Sequence, residues 1–246
     1  AITFLSLFSP MSDLNPNAAP FFPGLFTQSR NPLHYHHSLG TRSQPPPITS
    51  ASSASQSEIA GLQISFLNIC HLLNKKDEVE EFIHKHNIDI MCLAETFLTS
   101  ETPDSLVNIP NYKLIRQDRP GFGGGVAAYV RSSLHVTRLE DFARGDLELL
   151  FLLVHGLNGK LILGTVYRPP GSLVSYWDKL TDAVDSVHAP RAGTPIALVG
   201  DFNIDTSSSR AAQLTHLQHF CGNFCILNHV TESTRVGRGG SRTTID

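Results

Sequence analysis

The 246-residue chain is 41% hydrophobic and 17% charged, enough apolar material for a substantial core. Its formal net charge of −3 argues against nucleic-acid binding by bulk positive charge, while leaving room for a local basic groove. No apolar run approaches the roughly 20 residues that span a bilayer, and the apolar start Ala1–Phe8 has no basic flank, so it is a poor signal peptide.

Four cysteines are present: Cys70, Cys92, Cys221 and Cys225. Cys70 and Cys92 sit in or beside apolar, strand-like runs and are expected to be buried free thiols, as in a reducing compartment. Cys221 and Cys225 lack a second ligand pair, which argues against zinc. The chain begins at Ala1 and stops at Asp246 inside a strand-like pattern, so a fragment is expected.

Residues 1–60 are rich in Pro, Ser, Asn and Gln, with Pro45-Pro46-Pro47 just ahead of a Ser/Ala run. They are expected to be a disordered leader. His34, His36 and His37 lie there, and with no scaffold to hold them they are read as a solvated loop. The ordered domain is placed at 61–246. Leu62 to Leu67 reads as a strand ending at Asn68. Val79, Phe82, Ile83 and His86 fall at helical spacing and predict a helix over 75–86, with acids in its early turns. Ile88 to Leu93 is a second buried strand ending in Ala94-Glu95, so the module opens in βαβ fashion.

A strand over 112–115 follows. Gly121 to Gly125 then leads into a strand over 126–130. No Gly-Lys-Ser/Thr follows this glycine run, so it is read as a turn opening a strand, not a phosphate loop. Residues 147–154 and 160–166 form a hairpin about Asn158-Gly159, ending in Tyr167-Arg168-Pro169-Pro170. A helix over 174–187 precedes the stretch Ile196-Ala197-Leu198-Val199-Gly200-Asp201-Phe202-Asn203. Its apolar run reads as a fully buried strand. Asp201 and Asn203, two apart, are expected to project together from its end. A helix over 210–220 and a strand over 224–227 come next. The tail carries Arg235, Arg238 and Arg242 before Asp246.

Four buried strands thus end in polar residues: Asn68, Glu95, Tyr167, and Asp201 with Asn203. Open α/β sheets place their chemistry at such ends. One or two carboxylates with amides suit Mg²⁺, which keeps several waters and takes few protein ligands. They suit zinc poorly, because no Cys or His cluster accompanies them.

Phe66-Leu67-Asn68, Cys92 to Thr96, Asp118-Arg119 through Ala127, Val166 to Pro170, Gly200 to Asn203 and Thr244-Ile245-Asp246 together resemble the endonuclease/exonuclease/phosphatase superfamily. Within it, the chain is most similar to the apurinic-like endonuclease domain of non-LTR retrotransposons. The resemblance implies an α/β four-layer sandwich, two packed mixed β-sheets flanked by helices, with its last strands beyond Asp246. It implies Mg²⁺-dependent hydrolysis of a DNA phosphodiester, with Mn²⁺ as the alternative ion.

By the same resemblance, Glu95 would hold the metal with help from Asn68. Asp201 would orient or deprotonate the attacking water. Asn203 and Tyr167 would hold the scissile phosphate. Asp246 would orient a catalytic histidine in a Ser-Asp-His motif that this sequence does not reach, so the chain as written is expected to be catalytically impaired. Arg168, Arg238 and Arg242 are the expected phosphate contacts. DNA is the expected partner of a monomer acting in the nucleus, in a gene that also encodes a reverse transcriptase. The competing readings are a phosphatase or lipid phosphodiesterase of the same fold, and a non-catalytic DNA-binding remnant. Loss of the closing strand predicts an exposed sheet edge and poor solubility.

Overall fold

The computed structural model describes residues 7–8, 62–139, 147–156, 159–204, 211–228, 235–236 and 242–243. In chain order the strands are β1 (Leu7–Phe8), β2 (Ile64–Asn68), β3 (Ile90–Ala94), β4 (Tyr112–Gln117), β5 (Val126–Arg131), β6 (His135–Arg138), β7 (Glu148–Gly156), β8 (Gly159–Tyr167), β9 (Ile196–Asp201), β10 (Leu227–Asn228), β11 (Arg235–Val236) and β12 (Arg242–Thr243). The helices are α1 (Lys76–Lys85), α2 (Ser175–His188) and α3 (Ala211–Asn223).

Two mixed sheets carry the fold. One has the order β2-β3-β5-β4, the other β10-β1-β9-β8-β7-β6, and β11 pairs with β12 alone. Each large sheet contains one parallel pair, β2 with β3 and β8 with β9, and its remaining ladders are antiparallel.

Strand periodicity explains the layering. Along β3, Ile90, Cys92 and Ala94 face the opposite sheet, while Met91 and Leu93 face α1. The inter-sheet core takes Ile64 and Phe66 from β2, Val126, Ala128 and Val130 from β5, and Leu161, Leu163, Ala197 and Val199 from the other sheet. Val79 and Ile83 of α1 cover the outer face of the smaller sheet. Trp177, Leu180, Val184 and Val187 of α2, with Leu217 and Phe220 of α3, cover the outer face of the larger one. The result is the expected four-layer sandwich of two packed mixed sheets flanked by helices.

Several sequence expectations shift. Leu7–Phe8, inside the stretch read as a disordered leader, form a short strand that pairs antiparallel with both β9 and β10. The free edge of β9 supplies unpaired backbone groups that an extended dipeptide can satisfy. His34, His36, His37 and the rest of the leader lie outside the described residues, as do Asn158, Arg238 and Asp246. β6, absent from the sequence reading, pairs with the second half of the 9-residue β7, which outruns the strand predicted for it. The strand expected over 224–227 is instead β10 at Leu227–Asn228. Cys92 is buried as expected, but Cys70 is exposed, because the chain leaves β2 before it and turns through a left-handed φ of 44°. All four cysteines are free thiols. No helix of the described residues is long and apolar enough to cross a membrane.

Burial raises the phenol pKa of Tyr112, Tyr129, Tyr167 and Tyr176 above the ordinary value. Tyr112 and Tyr129 donate to the backbone carbonyls of Ile88 and Val107 at 2.5 and 2.6 Å, bonds that need the proton. The folded state therefore keeps protons that the unfolded chain loses above about pH 10. Stability should fall as pH rises past that point, by about 1.4 kcal/mol per pH unit for each retained proton. Urea midpoints at pH 9 and 11 test this, and equal midpoints would contradict it.

Candidate active site

The two parallel pairs end on the same side of the sandwich. On the smaller sheet, β2 ends at Asn68, level with Ala94, so Glu95 follows directly at the end of β3. On the larger sheet, Tyr167 of β8 stands level with Asp201 of β9. Gly200 makes that second pairing close: a Cβ there would lie 2.0 Å from the Val166 carbonyl oxygen.

One amide joins the sheets. Asn68 Nδ2 donates to Glu95 Oε1 at 2.9 Å and to Asp201 Oδ2 at 2.9 Å. The Tyr167 phenol also bonds to Glu95, and burial, this bond and the nearby carboxylates hold its pKa far above the ordinary range. Tyr167 is therefore a neutral donor throughout the physiological range. Asp201 is 3% exposed, and its Oδ1 accepts the Asn203 backbone N–H at 2.9 Å.

Glu95 is held from both sides. His71 N donates to its carbonyl at 3.1 Å, Ile69 N to Ala94 O at 2.9 Å and Leu72 N to Thr96 O at 2.9 Å. Across the sheet, Thr96 N and Phe97 N donate to the carbonyls of Gly125 and Gly124 at 3.3 and 2.9 Å. Glu95 itself has a φ of 53°, a left-handed conformation that costs a non-glycine residue about 1–2 kcal/mol. The two flanking ladders hold it there.

Asn203 reaches the site by a different route from the one expected. The chain does not stay extended after Asp201; Asn203 turns left-handed, with φ 51°. Its backbone N–H caps Asp201, and its side chain donates to the Arg168 carbonyl at 2.8 Å. The Asp-x-Asn spacing thus builds an Asx-type turn, and strand alternation ends at Asp201.

Arg168 is likewise corrected from a phosphate contact to a scaffold residue. It is 2% exposed. Its guanidinium donates to the carbonyls of Phe202 and Ser172 at 3.2 and 3.0 Å and lies 5.7 Å from the ring centres of both Tyr176 and Trp177. Arg242 lies in β12. Arg238 and Asp246 lie outside the described residues.

Two neighbours escaped the sequence reading as site residues. Glu148, level with Tyr167, accepts from Arg119 Nε at 2.9 Å, forms an ion pair with Arg119 Nη2 and accepts the Gly125 N–H at 2.5 Å. The Arg119 guanidinium lies 5.9 Å from the Tyr167 ring centre. The glycine run makes room for this pair: at Gly124, φ +66°, a Cβ would lie 2.3 Å from Glu148 Oε2 and 2.5 Å from Arg119 Cζ. Arg119 stands within a motif the sequence displays, but no local signal marks Glu148.

The donor set fits a hard divalent cation. The groups bonded to Glu95, an amide and a neutral phenol, carry no charge to offset two adjacent carboxylates, so a cation there is favoured. The described residues contain no cluster of three or more His, Cys, Asp or Glu with metal-holding geometry. Asn68 turns its nitrogen to both carboxylates, so it acts as a bridge here; ligation through its oxygen requires the amide to turn over.

The endonuclease/exonuclease/phosphatase family model matches residues 66–246. The chain belongs to this family. A probable RNA-directed DNA polymerase from transposon X-element of Drosophila melanogaster is 28% identical over 109 residues, 44% of this chain but 12% of that protein's length. The endonuclease domain of TRAS1, a telomere-specific non-LTR retrotransposon, shares the fold at a TM-score of 0.58 and 12% identity, covering 74% of this chain and 81% of that one. An AP endonuclease from Leishmania major superposes over 58% of this chain and 55% of its own, with a TM-score of 0.49 and 18% identity.

Arg168→Lys distinguishes scaffold from substrate contact. A lysine keeps the charge but loses the fork that serves two carbonyls, so it should destabilise the fold by about 2–3 kcal/mol. Chemical denaturation measures this; unchanged stability with weakened DNA binding would restore the phosphate-contact reading.

Proposed function

We propose that the chain is a Mg²⁺-dependent DNA endonuclease domain that nicks a phosphodiester, with Mn²⁺ able to replace Mg²⁺. The observation that carries this reading is the convergence of Asn68, Glu95, Tyr167 and Asp201 at the shared end of both parallel strand pairs. Family membership and the transposon-encoded relative support it. That relative also supports a native polypeptide carrying a polymerase, and hence action on nuclear DNA.

Glu95, with Asn68, would hold the metal, which when bound supplies charge to the phosphoryl oxygens and their leaving group. Asp201 orients the attacking water and accepts its proton; its buried carboxylate is fixed by the Asn68 amide and the Asn203 N–H. Tyr167 donates a hydrogen bond to the developing negative charge at phosphorus, because it stays protonated. Asn203 positions the phosphate and closes the turn that aims Asp201. Asp246 would orient a histidine further along the chain, and Arg238 and Arg242 would neutralise DNA phosphates.

Supercoiled plasmid under single-turnover conditions tests the reading. Glu95→Gln and Asp201→Asn should each slow nicking by about 100-fold or more. Mg²⁺ should raise the melting temperature of the unmodified chain but not of Glu95→Gln, since only the former binds it in the folded state. Nicking that survives Glu95→Gln would sink the assignment.

A further inference from the structure

Beside the carboxylates lies an aromatic cluster that hydrolysis does not require. The His71 and Phe97 rings stand 3.9 Å apart between centres at 37°, and Phe97 meets Phe122 at 5.7 Å, edge to face at 88°. Phe122 is 88% exposed, at the tip of the loop between β4 and β5. A single exposed Phe is unremarkable on a protein surface. Three contiguous rings next to a reactive cluster are not.

The same backbone holds platform and site. Phe97 follows Glu95 by two residues and His71 follows Asn68 by three. The His71 N–H to Glu95 carbonyl and Phe97 N–H to Gly124 carbonyl bonds fix both rings relative to the carboxylates. His71 and Phe97 are left-handed, with φ of 74° and 56°, a conformation that glycine adopts without penalty. Stability is thus sacrificed to keep rings at these positions, as happens where strain serves a site. Gly121 and Gly123, at φ +96° and +82°, flank Phe122 and let the loop present it outward.

We infer that His71, Phe97 and Phe122 form a stacking platform for an unpaired nucleobase adjoining the phosphodiester cut at the Glu95 site. This rests on the nuclease reading. In intact duplex both faces of each base are covered by its neighbours, so an exposed ring can stack only where a base is unstacked. Every base has a π-face, so the platform tolerates any sequence while discriminating structure. The preferred substrate class is DNA with an unpaired base beside the scissile phosphate, such as a bulge, gap or frayed junction.

The test uses two duplexes of the same sequence in Ca²⁺ to limit turnover. One carries 2-aminopurine at an unpaired position, the other is fully paired. The unmodified chain should bind the first more tightly and quench its fluorescence. Phe122→Ala should reduce that preference by about 5- to 150-fold, leave the paired affinity nearly unchanged and leave the melting temperature unaltered. Phe122→Trp should retain it.

Equal affinity for both duplexes, a preference that survives the double change Phe97→Ala with Phe122→Ala, or no DNA binding at all would overturn the inference. Weakening of paired and unpaired DNA alike would mean that Phe122 is a duplex wedge instead, and would overturn it too. Glu95→Gln separates the two readings. It should abolish nicking while preserving the 2-aminopurine response, so the platform and the nuclease assignment can fail independently.

Discussion

A single side-chain amide spans the two halves of this fold. Asn68 belongs to the smaller sheet, yet its nitrogen bonds Glu95 beside it and Asp201 on the facing sheet. Two carboxylates taken from separate sheets would repel one another in a partly buried site. The amide holds them in one geometry, with Tyr167 as a second neutral donor to Glu95. This arrangement exists because each sheet has one parallel pair and both pairs end on the same side. The antiparallel ladders elsewhere serve to position those ends.

Around this centre the backbone departs from regular structure. Cys70, His71, Glu95, Phe97 and Asn203 are all left-handed, and each stands just beyond a strand that feeds the site. Strands deliver side chains alternately to two faces, and neither face is the end of the sandwich. Aiming a carboxylate along the strand axis requires the chain to turn sharply after the last ladder bond. The cross-links that stabilise those turns include Lys75 Nζ on the carbonyls of Ile69 and Cys70, at 2.6 and 2.9 Å, and Asn203 on Arg168.

The features legible in the sequence are those written in periodicity and short motifs. The apolar run of β3, the βαβ opening, the hairpin and the polar strand ends are read directly, since buried strands that stop in polar residues have few bland explanations when four occur together. Features that depend on distant contacts could not be read. Glu148 looks like any acid at a strand start until β8 sets it beside Tyr167 and Arg119 folds onto it. Arg168 looks like a cation for DNA until α2 lays Tyr176 and Trp177 against it. Asn203 reads as a strand-face residue because an Asx turn and an extended segment share the same spacing. β6 is short and half-polar, with burial alternating between exposed and intermediate, so it leaves little trace in hydrophobicity.

Between the sheets, the core is built partly from small residues: Cys92, Ala94, Ala128 and Ala197. Their bulk sets how far one sheet stands from the other, and hence the gap between Glu95 and Asp201. The core therefore works as a spacer gauge for the chemistry above it. A methyl group added at Ala94 would alter the reach of the Asn68 bridge as surely as a change at either acid, although it touches no phosphate.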